Sequence, residues 1–328
     1  MPETLAVGAV SSPQPTLRGI SVLGCAAVLP PDEVSTSAIA ERLGIEADWL
    51  ISRTGIRSRR YAADGVRTSD LAIEAGAAAL AKAGVDAADL DLVLVATMTA
   101  DELTPNAAPI VAHGLGATRA GTFDVGAACT GFLSALAVGA TWIESRRAEH
   151  VLVIGAEVLS RITDAESRST AALFADGAGA VVLGASSEPG GLGPVLLRQD
   201  GSQSSTIIAT RERGLIEMDG PETFKHALTR MTEITTEAAE AAGLSLDEID
   251  LFVYHQANQR ITKSVGQRLG LDPERVVDCI AEQGNTSAAT LPLALAYAEA
   301  DGRLKPGSRV MLVAFGAGFT WGGTVLTW

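Results

Sequence analysis

The chain has 328 residues, 47% of them hydrophobic, with 34 Gly and a formal net charge of −14. Such length and apolar content specify a globular protein with a substantial core, and the acidic balance argues against nucleic acid, whose phosphates call for clustered Lys and Arg. Cys25, Cys129 and Cys279 are an odd, widely spaced set without a CxxC pair, which argues against a disulfide framework or a zinc ribbon and suits a reducing, cytoplasmic setting.

Residues 1–17 lack the basic and long apolar segments of a signal peptide and are expected to form a flexible tail. No run of about 20 uninterrupted apolar residues is present, so no membrane span is expected. From Ala77 the sequence predicts an Ala-rich helix ending at Gly84, an acidic loop, and a strand from Leu92 of the continuous apolar kind found in parallel sheets. Beyond His113-Gly-Leu-Gly, the run Asp124-Val-Gly-Ala-Ala-Cys-Thr-Gly-Phe-Leu-Ser-Ala-Leu predicts a short strand leading into a long apolar helix, with Cys129 at the helix start. Unpaired N–H groups and the macrodipole favour an anion there, so this thiol is expected to ionise below its usual pKa of about 8.5. A lone Cys among Ala and Gly is also a common packing residue, and the motif alone leaves both readings open.

After the strand His150-Val-Leu-Val-Ile-Gly the order repeats. The segment from Thr236 again gives a helix ending at Gly, an acidic loop and a buried strand; Gly84 pairs with Gly243 and Asp91 with Asp250, each at an offset of 159 (243 − 84 and 250 − 91). The likeness runs on with a small shift through Gln267-Arg-Leu-Gly. Cys129 then corresponds roughly to the turn Gly284-Asn-Thr-Ser287, and the His150 strand to Ser308-Arg-Val-Met-Leu-Val-Ala-Phe-Gly. Cys279 reads as a core residue within a strand. Two α/β halves of like topology are implied, residues 18–185 and 186–328. Sites in open α/β sheets lie beyond the carboxyl ends of strands, and three such ends carry reactive side chains: Cys129, His255 in Leu251-Phe-Val-Tyr-His, and Asn285.

Cys129 in Ala-Ala-Cys-Thr-Gly-Phe, His255-Gln-Ala-Asn258, Gly284-Asn-Thr-Ser287 and Phe315-Gly-Ala-Gly-Phe-Thr-Trp-Gly322 resemble the β-ketoacyl-acyl-carrier-protein synthase III family of the thiolase superfamily. Trp49-Leu-Ile-Ser-Arg-Thr-Gly-Ile-Arg57 and Phe174-Ala-Asp-Gly-Ala-Gly179 extend the resemblance over residues 18–328. It implies a duplicated, thiolase-like α/β fold of five layers, αβαβα, with two mixed sheets around buried helices, in a cytoplasmic homodimer. The implied activity initiates fatty-acid or polyketide synthesis: an acyl group passes from coenzyme A to Cys129, and malonyl-acyl carrier protein is decarboxylated to a carbanion that attacks the thioester.

The same resemblance implies that His255 and Asn285 donate to the enolate oxygen, that Phe315 faces the malonyl carboxylate, and that the N–H groups of Cys129 and Ala317 form the oxyanion hole. Trp49 and Arg168 are expected around the adenine of coenzyme A, Arg53 at its phosphates, and Met218, Gly220, Phe224 and Asn258 along the pantetheine. Acyl carrier protein is acidic, and Arg260, Lys263 and Arg268 offer it a basic face. Thr104, which stands where many relatives with short primers carry Phe, is expected at the base of the partner subunit's acyl pocket and predicts a primer bulkier than acetyl. No cofactor or metal is implied, because acyl-coenzyme A and malonyl-acyl carrier protein are substrates. The alternative reading is a related acyltransferase that passes the acyl group to a hydroxyl or amine. Thiolase proper fits less well, since its second catalytic Cys is expected near Phe315-Gly-Ala-Gly-Phe, which contains none.

Overall fold

The computed structural model describes residues 17–188 and 191–328. The expected tail lies outside the described residues except for Leu17. In chain order, β1 (Gly19–Val28) is followed by β2 (Asp32–Ser35) and β3 (Ser58–Tyr61), which pair with each other around α1 (Thr36–Leu43) and α2 (Ala47–Thr54). Then come α3 (Thr68–Ala83), β4 (Leu92–Ala96), α4 (Ala107–Leu115), β5 (Gly121–Val125), α5 (Gly131–Glu144), β6 (His150–Val158) and β7 (Asp176–Ser186). The remainder holds β8 (Leu196–Gln199), the pair β9 (Ile207–Ala209) and β10 (Ile216–Met218), α6 (Gly220–Ala241), β11 (Leu251–Tyr254) and α7 (Gln259–Leu269). It closes with α8 (Ile280–Gln283), α9 (Thr290–Ala300), β12 (Arg309–Gly316) and β13 (Thr320–Thr327). Among the described residues no helix is long and apolar enough to cross a membrane.

Two mixed sheets result. The first has the order β1-β7-β6-β4-β5, the second β11-β12-β13-β8, and a single parallel bridge from Phe252 to Val276 stands where β5 lies in the first. Alternate strand residues face opposite sides, and the core divides accordingly. Leu94 and Val153 of the first sheet and Val253 and Leu312 of the second share one cluster with Phe132 and Leu136 of α5 and Leu291 and Leu295 of α9. The other face of the first sheet, with Val93, Val95 and Ile154, is covered by Leu71 and Ala75 of α3 and Val111 of α4. Phe252, Tyr254 and Val313 on the outer face of the second sheet pack on Met231 and Ile234 of α6 and Ile261 and Val265 of α7. Three clusters separating helices from sheets are the five-layered αβαβα arrangement.

The duplication is visible bond by bond. Asp91 Oδ2 accepts the N–H of His150 at 3.2 Å, and Asp250 Oδ2 accepts that of Arg309 at 2.7 Å, again 159 residues on (309 − 150). Before the two central helices, Ala128 and Ser287 both take the left-handed conformation, with φ of 45° and 49°, at the same offset (287 − 128). Cys129 therefore corresponds to Ala288, one residue beyond the expected turn. Cys279 is buried as expected but lies in no strand; it precedes α8. The side chain of Gln256 occupies the place of a neighbouring strand, donating from Nε2 to Val277 O at 3.1 Å and accepting at Oε1 from the Cys279 N–H at 3.3 Å.

Candidate active site

Cys129 sits in the tight turn Ala128–Thr130 that joins β5 to α5. This turn of the first half is seated on a strand of the second. A Cβ on Gly316, the last residue of β12, would lie 2.8 Å from Cys129 Cβ and 3.0 Å from its backbone N, so only a residue without a side chain lets the two meet. Asn285 is clamped from the first half: its N–H donates to Leu173 O and its carbonyl accepts from Ala175 N–H, both at 2.9 Å. Its Oδ1 accepts the Ser287 N–H at 2.9 Å. A backbone N–H can only donate, which fixes the amide and leaves Nδ2 as the group available for a ligand.

His255 continues β11 by one residue, donating its N–H to Val313 O at 2.7 Å. The side chain is 2% exposed, and Nδ1 is buried without a partner among the described residues, which leaves Nε2 as the nitrogen open to the cavity. Burial holds the imidazole pKa down to about 3. The ring is therefore neutral near pH 7, able to donate one N–H and unable to store a proton.

The Cys129 thiol departs from expectation. Burial pushes its pKa up to about 11, against a hydrogen bond from Ser287 that lowers it, and the carboxylate of Glu157 raises it further. A helix terminus contributes at most about 2 kcal/mol, and loss of hydration at the floor of an apolar cavity outweighs it.

Cys129, His255, Asn285 and Phe315 line one cavity of about 610 Å³. Trp49, Arg53, Arg168, Met218, Gly220, Phe224, Asn258, Arg260 and Ala317, each singled out in the sequence, line it too. Two details qualify the expected binding of coenzyme A. The guanidinium of Arg53 lies 4.4 Å over the Trp49 ring, covering a face expected to meet the adenine. Asn258 Oδ1 caps α7 through the Arg260 N–H and its Nδ2 donates to Arg53 O, each at 2.9 Å, so this side chain ties α7 to α2.

Thr104, Lys263 and Arg268 lie outside this cavity and are exposed. Arg260 and Lys263 share one side of α7, and among the described residues neither they nor Arg268 form a salt bridge. Lys225 and Arg230, in contrast, are paired on α6 with Glu222 and Glu233. Sequence reasoning missed Met98 and Ser287, which also line the cavity, and Glu157, fully buried at the end of β6. The one available signal was a lone carboxylate in the apolar run His150-Val-Leu-Val-Ile-Gly-Ala-Glu-Val.

The family described as 3-oxoacyl-(acyl-carrier-protein) synthase III matches residues 123–201, and its C-terminal part matches 239–328. The chain is 44% identical over 319 residues to the β-ketoacyl-(acyl-carrier-protein) synthase III of Bradyrhizobium diazoefficiens, covering 94% of this chain and 98% of that one. With the enzyme of the same name from Rhodospirillum rubrum it shares 45% over 317 residues, or 93% and 98% of the two. Among solved structures, the 3-oxoacyl-(acyl-carrier-protein) synthase III of Aquifex aeolicus superposes with a TM-score of 0.91 at 36% identity, over 94% of this chain and all of the other. The priming β-ketosynthase of the R1128 polyketide pathway superposes with a TM-score of 0.92 at 36% identity, over 97% and 98%.

Proposed function

The chain belongs to the β-ketoacyl-acyl-carrier-protein synthase III family, and we propose that it works through Cys129, which takes a primer acyl group from acyl-coenzyme A before condensation with malonyl-acyl carrier protein. The observation that carries this reading is the meeting of one thiol and two neutral donors, Asn285 Nδ2 and His255 Nε2–H, in a single cavity.

In the first stage the Cys129 thiol gives up its proton and Sγ attacks the acyl carbonyl, the carbon–sulfur bond to coenzyme A breaks, and coenzyme A leaves as the thiol once its sulfur has taken up a proton. In the second, the malonyl carboxylate departs as CO₂ and its bonding pair moves into an enolate. Two donors aimed at the thioester oxygen stabilise that charge, and the low pKa of His255 supports a donor in neutral form. Phe315, 3% exposed and packed against Phe319 with the two rings tilted by 47° and their centroids 4.8 Å apart, offers an apolar wall that disfavours the carboxylate and favours its loss. The carbanion then attacks the acyl-Cys129 carbonyl, a carbon–carbon bond forms, and Cys129 leaves as thiolate. The N–H groups of Cys129 and Ala317 are the proposed oxyanion donors.

Arg260, Lys263 and Arg268 are the proposed docking face for the acidic carrier protein, on the helix that borders the cavity. The proposed assembly is a homodimer in which Thr104 reaches the partner's acyl pocket. Acetyl-, isobutyryl- and octanoyl-coenzyme A, each incubated with malonyl-acyl carrier protein, test the reading through CO₂ release and β-ketoacyl product. Product with the longer primers is expected; strict acetyl preference removes the role of Thr104. Acylated Cys129 without CO₂ release contradicts condensation and favours transfer to a hydroxyl or amine.

A further inference from the structure

Arg59, on β3, is fully buried, yet among the described residues no carboxylate pairs with it; its neighbour Arg60, by contrast, reaches Glu33. A cation taken out of water without a counter-charge is costly, and its donors must be spent on something. They go to main-chain carbonyls. Nη1 donates to Val34 O at 3.2 Å and Nη2 to Ala172 O at 2.8 Å, while Nε has no partner among the described residues. Burial lowers the guanidinium pKa to about 10, which leaves it charged at pH 7. The rigid fork of an arginine can hold two acceptors on separate segments at a fixed spacing, which the single ammonium of a lysine cannot.

Both ends of this residue lead to Asn285. Ala172 belongs to the stretch that lines the cavity, and the residues after it are the ones that clamp Asn285: Leu173 O accepts its N–H, Ala175 N–H donates to its carbonyl, and Phe174 forms a parallel bridge with it. At the other end, Gly284 turns the chain from α8 into Asn285 with a φ of 66°. A Cβ there would lie 3.1 Å from Arg59 Cβ and 2.9 Å from Ala175 Cβ, so the turn is pressed between β3 and the clamping segment. Just ahead of β3, the Arg57 N–H donates to Ala281 O at 2.7 Å and holds α8 as well. Because the Asn285 Oδ1 is fixed to the Ser287 N–H, its Nδ2 goes wherever the main chain of residues 284 and 285 is held.

We propose that Arg59 is a positioning residue for condensation: it packs against Gly284, ties Ala172 to β2, and thereby holds Asn285 Nδ2 on the enolate oxygen. Arg59 does not itself line the cavity. This role rests on the reading of Asn285 as an enolate donor, and it belongs to the second stage alone, because Asn285 takes no part in moving the acyl group to Cys129.

The two stages are read separately. Acylation by octanoyl-coenzyme A alone is followed by intact mass, and condensation by CO₂ release when malonyl-acyl carrier protein meets the acylated enzyme. The proteins compared are the wild type, Arg59→Met, Arg59→Lys, Asn285→Ala and the double variant with Arg59→Met and Asn285→Ala. Arg59→Met is expected to release CO₂ about tenfold slower, a part of the roughly 100-fold that loss of a donor or its displacement by about 1 Å costs, with acylation within about twofold of the wild type. On top of Asn285→Ala the same substitution should add less than about twofold, as residues acting on one group do. Arg59→Lys, which keeps the charge but not the fork, is expected to slow CO₂ release about threefold. Equal slowing of both stages by Arg59→Met, or its full tenfold loss on top of Asn285→Ala, assigns Arg59 a general structural role and overturns the proposal. Wild-type CO₂ release by Arg59→Met overturns it too, and does so alone when Asn285→Ala is slow. If Asn285→Ala releases CO₂ at the wild-type rate, the reading of Asn285 fails and the proposal with it. Should Arg59→Met not fold, Arg59→Lys carries the test, and CO₂ release at the wild-type rate or equal slowing of both stages overturns the proposal.

Discussion

Gly316 sets how closely the two halves approach at the nucleophile. A methyl group there overlaps the backbone and Cβ of Cys129, and neither atom belongs to a flexible side-chain end. Displacement of a nucleophile by about 1 Å costs on the order of 100-fold in rate. Gly316→Ala is accordingly expected to slow acylation of Cys129 about 100-fold, read by intact mass, and to lower the melting temperature by a few degrees, since overpacking costs about 1–3 kcal/mol; an unchanged rate would show that the turn yields at no cost. That Cys129, His255 and Asn285 line one cavity is legible in the sequence from their joint placement on equivalent strand ends of the two halves and from the family resemblance, since each taken singly also suits a structural role. Ser287 and Met98 are not, since nothing local marks an ordinary residue as the neighbour of a thiol 158 positions earlier (287 − 129). The direction of the Cys129 shift was hidden for a related reason. The helix terminus is local, whereas burial is set by β12 and the turn Ser287–Ala289, which come from the other half of the chain.

At the scale of elements, the ends of β6 and β11 carry two buried groups that titrate against each other. His255 is depressed from 6.5 to about 3, so the unfolded chain takes up its proton first and stability falls as pH drops below about 6.5. Glu157 is raised from 4.5 to about 7, so the folded state binds its proton first; that contribution is complete below about 4.5 and is lost as pH rises through 7. Between pH 6.5 and 4.5 the two slopes oppose, each about 1.4 kcal/mol per pH unit. Urea unfolding is expected to show Glu157→Gln losing about that much more stability per unit than the wild type on acidification through this window. Parallel curves for the two proteins contradict the opposing titrations. The helix–Gly–strand units are legible because Gly84 and Gly243 end helices in the left-handed conformation. The apolar run Val276-Val-Asp-Cys-Ile misleads because a side chain, Gln256, satisfies backbone groups that a ladder would otherwise use.

At the scale of the molecule, duplication makes two equivalent sets of strand ends, and function lies where they differ. One turn carries Cys129 where the other has Ala288; one strand carries Glu157 where the other has Gly316. The offset of 159 is legible because chain-order spacing survives folding, whereas the closing of both halves on one cavity depends on packing between sheets that no local pattern encodes. With a net charge of −14, docking of an acidic carrier protein calls for a local basic surface, and the exposed cations of α7 beside the cavity are the one proposed.

Cys129 is proposed to carry the primer between the two stages. Peptide mapping after incubation with octanoyl-coenzyme A is expected to find one octanoyl group, on the peptide holding Cys129, discharged when malonyl-acyl carrier protein is added. An octanoyl group on another residue, or turnover by Cys129→Ala at the wild-type rate, would contradict it.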